Sequence, residues 1–410
     1  MMREETVKKL KNDIVGRIDV TREVGDEQVY EIIDSCISEV VRREYVDIPA
    51  RLKLRRDIFN SLRRLDVLQD LIEDETITEI MVNGEKRIFY ERDGRLYLSD
   101  RKFESKEKLE DIIQRIASGV NRTVNEAHPI VDARLIDGSR VNIVLPPVSL
   151  EGAVVTIRKF SRDIMSMERL IELGSITEEA ARFLDLLVKG KYNIICSGGT
   201  GCGKSTMLNA LSGYISQEER VITIEDSAEL IMDNLPNLVR LEARNANIEG
   251  RNEITIRSLI RTALRMRPDR IIVGEVRGRE AIDMLQSLNT GHCGMSTGHA
   301  NSPKDMLSRL ETMVLLDENI PLAAIRSQIA SAVDIIIGIS RMKDGSRKIT
   351  EISEVDGVVN GDIRLNKIFE YKDGLVRVGE LRHCDKLYMN GVHYEKSEIP
   401  EDMENVERGE

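Results

Sequence analysis

The stretch Ile194-Ile195-Cys196-Ser197-Gly198-Gly199-Thr200-Gly201-Cys202-Gly203-Lys204-Ser205-Thr206 constrains this chain more than any other. An apolar strand end runs into Gly-x-x-x-x-Gly-Lys-Ser, from Gly198 to Ser205, and then into the helix-like Met207-Leu208-Asn209-Ala210-Leu211. Strand, glycine loop and helix in that order make a phosphate-binding loop. Glycines let successive backbone N–H groups turn toward phosphate oxygens with no Cβ in the way, and the positive end of the helix adds to the field. Lys204 is expected to reach the β- and γ-phosphates of ATP, and the Ser205 hydroxyl to take a Mg²⁺ position. Gly198, Gly199, Thr200, Gly201, Cys202, Gly203, Lys204, Ser205 and Thr206 are therefore candidate nucleotide-binding residues. An ordinary glycine turn is the competing reading, and the flanks disfavour it.

Composition narrows the class. A chain of 410 residues, 41% hydrophobic and 32% charged, has room for two or more domains with their own cores. No apolar run approaches the roughly 18 residues of a membrane span, and Met1-Met2-Arg3-Glu4-Glu5 offers no apolar signal-peptide region. The five cysteines, at 36, 196, 202, 293 and 384, form no Cys-x-x-Cys pair. No zinc site is expected, and the thiols suit a reducing cytoplasm. A net charge of −11 without a long basic arm weighs against nucleic acid as the main partner, unless oligomerisation builds a basic channel.

Periodicity divides the chain. Residues 1–75 read as helices: Val29, Ile32, Ile33, Cys36, Ile37, Val40 and Val41 recur on one face, and Ile58, Leu62, Leu65, Leu68 and Leu71-Ile72 on another. They make either a packed helical subdomain or a partner-docking helix pair. From Ile77 the period is two. Strands are expected at Ile77–Val82, Ile88–Arg92, Arg95–Ser99, Val131–Ile136, Ser139–Leu145 and Val154–Arg158, turned at Asp93-Gly94 and Asp137-Gly138. With a helix over Ser105–Ser118, residues 76–160 read as a compact α+β domain, and 161–176 as a linker. Over 177–395 helices and strands alternate, as in a parallel α/β sheet that binds ligand at the strands' carboxyl ends. Its strands are expected at Tyr192–Cys196, Val221–Ile224, Val239–Leu241, Arg270–Val273 and Val333–Ser340, with further short strands after Asp344-Gly345. Residues 396–410 read as a frayed acidic tail.

Two strands after the loop end in carboxylate, Val221-Ile222-Thr223-Ile224-Glu225-Asp226 and Arg270-Ile271-Ile272-Val273-Gly274-Glu275. Beside bound triphosphate such a carboxylate holds Mg²⁺ or orients the attacking water. Glu225 is expected to act on the water. Glu275 is displaced by one from the usual Asp position, which Gly274 occupies, and is expected to meet Mg²⁺ through water. His292 and His299 lie in Thr290-Gly291-His292-Cys293-Gly294-Met295-Ser296-Thr297-Gly298-His299-Ala300-Asn301, which its glycines mark as a tight loop beside the nucleotide. His299 is expected to sense or act on the γ-phosphate. A metal site from His292, Cys293 and His299 lacks a fourth ligand.

In order and wording these motifs resemble the type II/type IV secretion and pilus ATPase superfamily, most closely the CpaF-like ATPases of tight-adherence (Tad/Flp) pili. The likeness comprises the phosphate-binding loop, an Asp box at Ile224-Glu225-Asp226, a Walker B-like Ile272-Val273-Gly274-Glu275-Val276-Arg277 and a His box from Thr290 to His299. It extends to Glu79-Ile80-Met81-Val82-Asn83-Gly84, Asp137-Gly138-Ser139-Arg140-Val141-Asn142 and Thr156-Ile157-Arg158-Lys159-Phe160. The resemblance implies a PAS-like α+β domain ahead of a RecA-like P-loop ATPase domain, assembled as a homo-oligomer, a hexamer. It implies that Arg134, Arg140 and Arg158 complete the site around the phosphates, where guanidinium forks match phosphate oxygens. A solvated surface arginine is the plainer reading of each. The implied activity is Mg-ATP hydrolysis at the inner face of the membrane, coupled to an inner-membrane platform protein. A conjugation-type or nucleic-acid-translocating ATPase is one alternative, and a nucleotide-dependent scaffold with little turnover another.

Overall fold

The computed structural model describes residues 4–18, 24–42, 45–92, 94–120, 122–135, 137–160, 165–244, 252–316 and 320–394. Asp93 and Ile136 of the expected turn and strand, 161–164 of the linker and the acidic tail lie outside the described residues. The chain divides into two compact units, Met1–Ser161 and Arg162–Glu410.

In the first unit, α1 (Glu4–Arg17), α2 (Asp26–Val41) and α3 (Ile48–Arg63) pack around Val29, Ile33, Ile37, Ile58 and Phe59. The helical face expected over 58–72 is interrupted. Helix α3 ends at Arg63, Asp66 takes a φ of 53°, and a separate short helix, α4 (Gln69–Glu73), follows. A left-handed residue cannot continue a right-handed helix, and leucine spacing does not report it. Strands β1 (Ile77–Asn83), β2 (Arg87–Arg92), β3 (Arg95–Leu98), β4 (Ile130–Arg134), β5 (Arg140–Val144) and β6 (Val154–Arg158) then form an antiparallel sheet in the order β3-β2-β1-β6-β5-β4. Helix α5 (Lys106–Gly119), capped by the Ser105 hydroxyl, packs on the face made by Ile80, Val82, Val141, Ile143, Val155 and Ile157. The Asp137-Gly138 turn is present: Gly138 has a φ of 93° and Ser139 N donates to Asp137 Oδ1 at 2.9 Å.

The second unit opens with α6 (Met167–Glu172), inside the expected linker, and α7 (Glu178–Lys189), capped by Thr177. Then come β7 (Ile194–Gly198), α8 (Lys204–Ser212), β8 (Val221–Glu225), β9 (Leu238–Glu242), α9 (Ile256–Ala263), β10 (Arg270–Val276) and α10 (Glu280–Asn289). They are followed by β11 (Cys293–Gly298), α11 (Pro303–Leu315), α12 (Leu322–Ala332) and β12 (Ile335–Arg341). The sheet runs β15-β14-β13-β12-β7-β11-β10-β8-β9, parallel from β12 to β9. Strands β13 (Arg347–Val359), β14 (Asp362–Tyr371) and β15 (Leu375–Arg377) extend it antiparallel. At 13 and 10 residues, β13 and β14 are not the short strands expected. Ile194, Cys196, Ile335 and Ile337 enter one core while Ile195, Ile336, Ile271 and Val273 enter the other. Helices cover both faces, so the central strands read as continuous apolar runs.

One expectation is corrected here. Within the glycine-marked segment from Thr290 to Asn301, Cys293–Gly298 is a strand, β11, paired with β7 and β10 in the middle of the sheet. Gly291 does turn, with a φ of 96°, but Gly294 and Gly298 serve close packing. A Cβ at Gly294 would stand 2.5 Å from Leu288 Cδ2 and 2.8 Å from Ile271 O, and one at Gly298 would stand 2.5 Å from Met306 Cε. Gly294→Ala should therefore destabilise this unit by about 1–3 kcal/mol. Calorimetry should show its unfolding midpoint several degrees lower, and an unchanged midpoint would mean that the packing yields more easily than the distances suggest.

Candidate functional site

The carboxyl edge of the parallel sheet gathers the ends of β7, β8, β10 and β11. Past β7, Gly201 and Gly203 take φ values of 70° and 99°, a left-handed path that lets the loop curl before α8 begins at Lys204. Ser205 and Thr206 follow in the first turn of α8. Gly198 admits no side chain: a Cβ there would stand 2.4 Å from both Cys202 Sγ and Ile339 O. Lys204 is only 8% exposed. Its Nζ donates to Gly198 O at 3.0 Å and Gly199 O at 2.9 Å and lies 3.3 Å from His299 Nδ1. Burial lowers the lysine pKa. Burial also raises the Cys202 thiol and pushes Cys196 up to about 12, so neither supplies a thiolate near neutral pH.

His299 sits just past β11. Its Nε2 lies 2.8 Å from Glu275 Oε1, and Glu275 Oε2 accepts from Arg277 Nη2 at 2.5 Å. Lys204, His299, Glu275 and Arg277 thus form one chain of contacts. Desolvation lowers the His299 pKa, Glu275 opposes that, and Lys204, Arg277 and Arg309 add to the lowering. An ammonium facing Nδ1 and a carboxylate facing Nε2 suit the neutral ring with its proton on Nε2. Gly199, Thr200, His299, Asn301, Ser308 and Arg309 line a cleft of about 460 Å³ beside this chain.

Glu225 ends β8 and is 4% exposed. Its Oε1 accepts from Glu229 N at 2.7 Å and Leu230 N at 3.0 Å, its Oε2 has no hydrogen-bond partner among the described residues, and desolvation raises its pKa. The glycine in the unusual position is accounted for, because a Cβ on Gly274 would stand 2.8 Å from Glu225 Cγ. A different carboxylate faces the loop: Glu229 Oε2 lies 3.4 Å from Ser205 Oγ. Sequence reasoning passed over Glu229 because it follows the strand in a turn that only the backbone contacts of Glu225 explain. The available signal was a second acidic side chain four positions beyond the first. A hydroxyl beside a carboxylate fits a magnesium ion that takes its remaining ligands from phosphate and water.

His292 is not brought to this edge. It precedes β11 while His299 follows it, so the extended strand holds them roughly 20 Å apart. In the first unit, Arg134 lies opposite Arg140 and Arg140 opposite Arg158 across β4, β5 and β6. Directly opposed residues share a face, so the three arginines stand in one row of positions across the sheet. Arg158 lies 3.9 Å from Glu79, and Arg134 Nε donates to Gly138 O at 3.0 Å.

Comparison with known proteins adds four findings. The family model described as Type II/IV secretion system protein matches residues 62–367. The type IV secretion system protein PtlH of Bordetella pertussis is 33% identical over 322 residues, 72% of this chain and 95% of PtlH. The conjugal transfer protein TrbB of Rhizobium radiobacter is 31% identical over 301 residues, 72% of this chain and 88% of TrbB. Among solved structures, the pilus retraction motor PilT with bound ADP has a TM-score of 0.52 at 19% identity, over 80% of this chain and 86% of PilT, a likeness of fold alone.

The His299 contacts carry a pH dependence. Its folded pKa is depressed, so its contribution to stability is present above the unfolded value of about 6.5 and is lost as pH falls through the lower folded value. An NMR titration of the imidazole should give a midpoint below about 6.5. Since Glu275 opposes the lowering, Glu275→Gln should move the midpoint lower still. A midpoint that stays or rises in that variant would remove the carboxylate from the ring's surroundings.

Proposed function

Because this chain belongs to the Type II/IV secretion system protein family, we propose that it hydrolyses ATP and passes the work to pilus assembly or protein secretion. The observation that carries this reading is the convergence, at one sheet edge, of Lys204, His299 and Glu275 with the Ser205 and Glu229 pair. Lys204 and the N–H groups at the start of α8 bind the β- and γ-phosphates. Ser205 directly, and Glu229 and Glu275 through water, would hold a Mg²⁺, which would neutralise charge on the phosphate oxygens. Glu229 orients the attacking water, and Glu225 holds the loop that presents Glu229. His299, in contact with both Lys204 and Glu275, is placed to register the γ-phosphate.

The finer reading makes the first unit PAS-like and the second RecA-like, with subunits in a hexameric ring. Arg134, Arg140 and Arg158 then complete the phosphate site. Their register on one face of the sheet supports that role, since several guanidinium forks can converge on phosphate oxygens. The wording of Asn83-Gly84, Asp137-Gly138-Ser139 and Gly298-His299-Ala300-Asn301 supports a CpaF-like ATPase of Tad/Flp pili, docked on a platform protein at the inner face of the membrane. The likeness to TrbB favours a second reading, a conjugation-type ATPase, for which hydrolysis would be DNA-stimulated and steeply salt-dependent.

Steady-state phosphate release tests the chemistry. Lys204→Ala should abolish turnover. Glu229→Gln should keep Mg-ATP binding and slow turnover by roughly 10²–10⁴. Glu225→Ala should also turn over slowly, because its loop loses the oxygen that accepts from Glu229 N and Leu230 N. Full turnover by either variant would take that residue out of its role.

A further inference from the structure

The β12–β13 hairpin is built as a braced arm over the phosphate-binding loop. Strand β12 runs parallel to β7 as far as Ile339 opposite Gly198, and the two approach so closely there that no side chain fits at Gly198. Beyond the Arg341 and Arg347 pair the turn is tied internally. Met342 N donates to Ser346 O at 2.7 Å, Gly345 N to Met342 O at 3.0 Å, and Ser346 N and Oγ to Asp344 Oδ1 at 2.9 and 2.7 Å. On the next residue, Lys348 Nζ donates to Gly174 O at 2.6 Å and so pins the arm to the end of α6. From this arm Arg347 reaches back to the loop: its Nε donates to Gly201 O at 2.9 Å, and its Cδ would lie 3.4 Å from a Cβ on Gly203. The side chain is exposed, so its place there is not a matter of core packing.

We propose that Arg347 is a positioning residue of the nucleotide site, acting through Gly201. A peptide is planar and trans, so holding the Gly201 carbonyl outward turns the N–H of Cys202 the opposite way, toward the concave side of the loop. That peptide joins the left-handed Gly201 to Cys202, with a second left-handed glycine, Gly203, one residue on, so the backbone around it is unusually free to flip. A guanidinium donor makes the restraint charge-assisted. Because binding and restraint act on the same peptide, the coupling is reciprocal: nucleotide in the loop also steadies the hairpin. The proposal rests on the nucleotide reading above.

Calorimetric titration of the full chain with Mg-ADP and with a non-hydrolysable Mg-ATP analogue tests it, using wild type, Arg347→Ala and Arg347→Lys. Arg347→Ala should weaken both nucleotides by about tenfold and by the same factor, since a Cys202 N–H would serve the phosphates common to both. Arg347→Lys, which keeps one charged donor, should recover part of the loss. Hydrogen exchange across residues 342–347 should slow on nucleotide binding in the wild type and not in Arg347→Ala. Wild-type affinity in Arg347→Ala, or a loss confined to the ATP analogue, would overturn the proposal while leaving the nucleotide reading intact. A wild-type chain that binds neither nucleotide would overturn both, with Lys204→Ala as the comparison.

Discussion

An ammonium taken out of water must find ligands or lose its charge, and Lys204 is the buried ammonium on which this site depends. Two loop carbonyls and the His299 ring meet it. That requirement ties the end of β7 to the end of β11, and through Glu275 to the end of β10. Each partner faces the next with a complementary group: cation, neutral imidazole, carboxylate, guanidinium. The chain of contacts can therefore respond as a unit when a phosphate competes for the lysine.

Around this centre, room is made by omitting side chains. Gly198 lets β12 close against the loop, Gly274 leaves space for Glu225, and Gly294 and Gly298 let Leu288 of α10 and Met306 of α11 close on β11. The omission at Gly274 has a chemical consequence. Glu225 is brought in far enough to spend one oxygen on the backbone of Glu229 and Leu230, and the loop it shapes carries Glu229 to Ser205. A buried carboxylate thus serves an outer one.

Much of this was legible in the residues because the signals were local. The phosphate-binding loop, the strands with continuous apolar runs and the Asp137-Gly138 turn each depend on neighbours a few positions away. Other features were not. Glycine marks a turn or a tight packing contact with the same letter, so β11 read as a loop. The break at Asp66 leaves leucine spacing unchanged. Arg134, Arg140 and Arg158 are scattered in sequence, and only strand register sets them in a row.

By itself the sequence determined that a strand, a glycine loop and a lysine-led helix follow one another, and that two later strands end in carboxylate, because these are matters of backbone freedom and short-range pattern. Only the tertiary structure decided which side chains meet. It placed Glu229 at Ser205, His299 between Lys204 and Glu275, His292 at the far end of its strand, and Arg347 on a loop 146 positions away. The physical reason is that such meetings are fixed by strand order and packing distance, and these emerge only when separate segments compete for the same space.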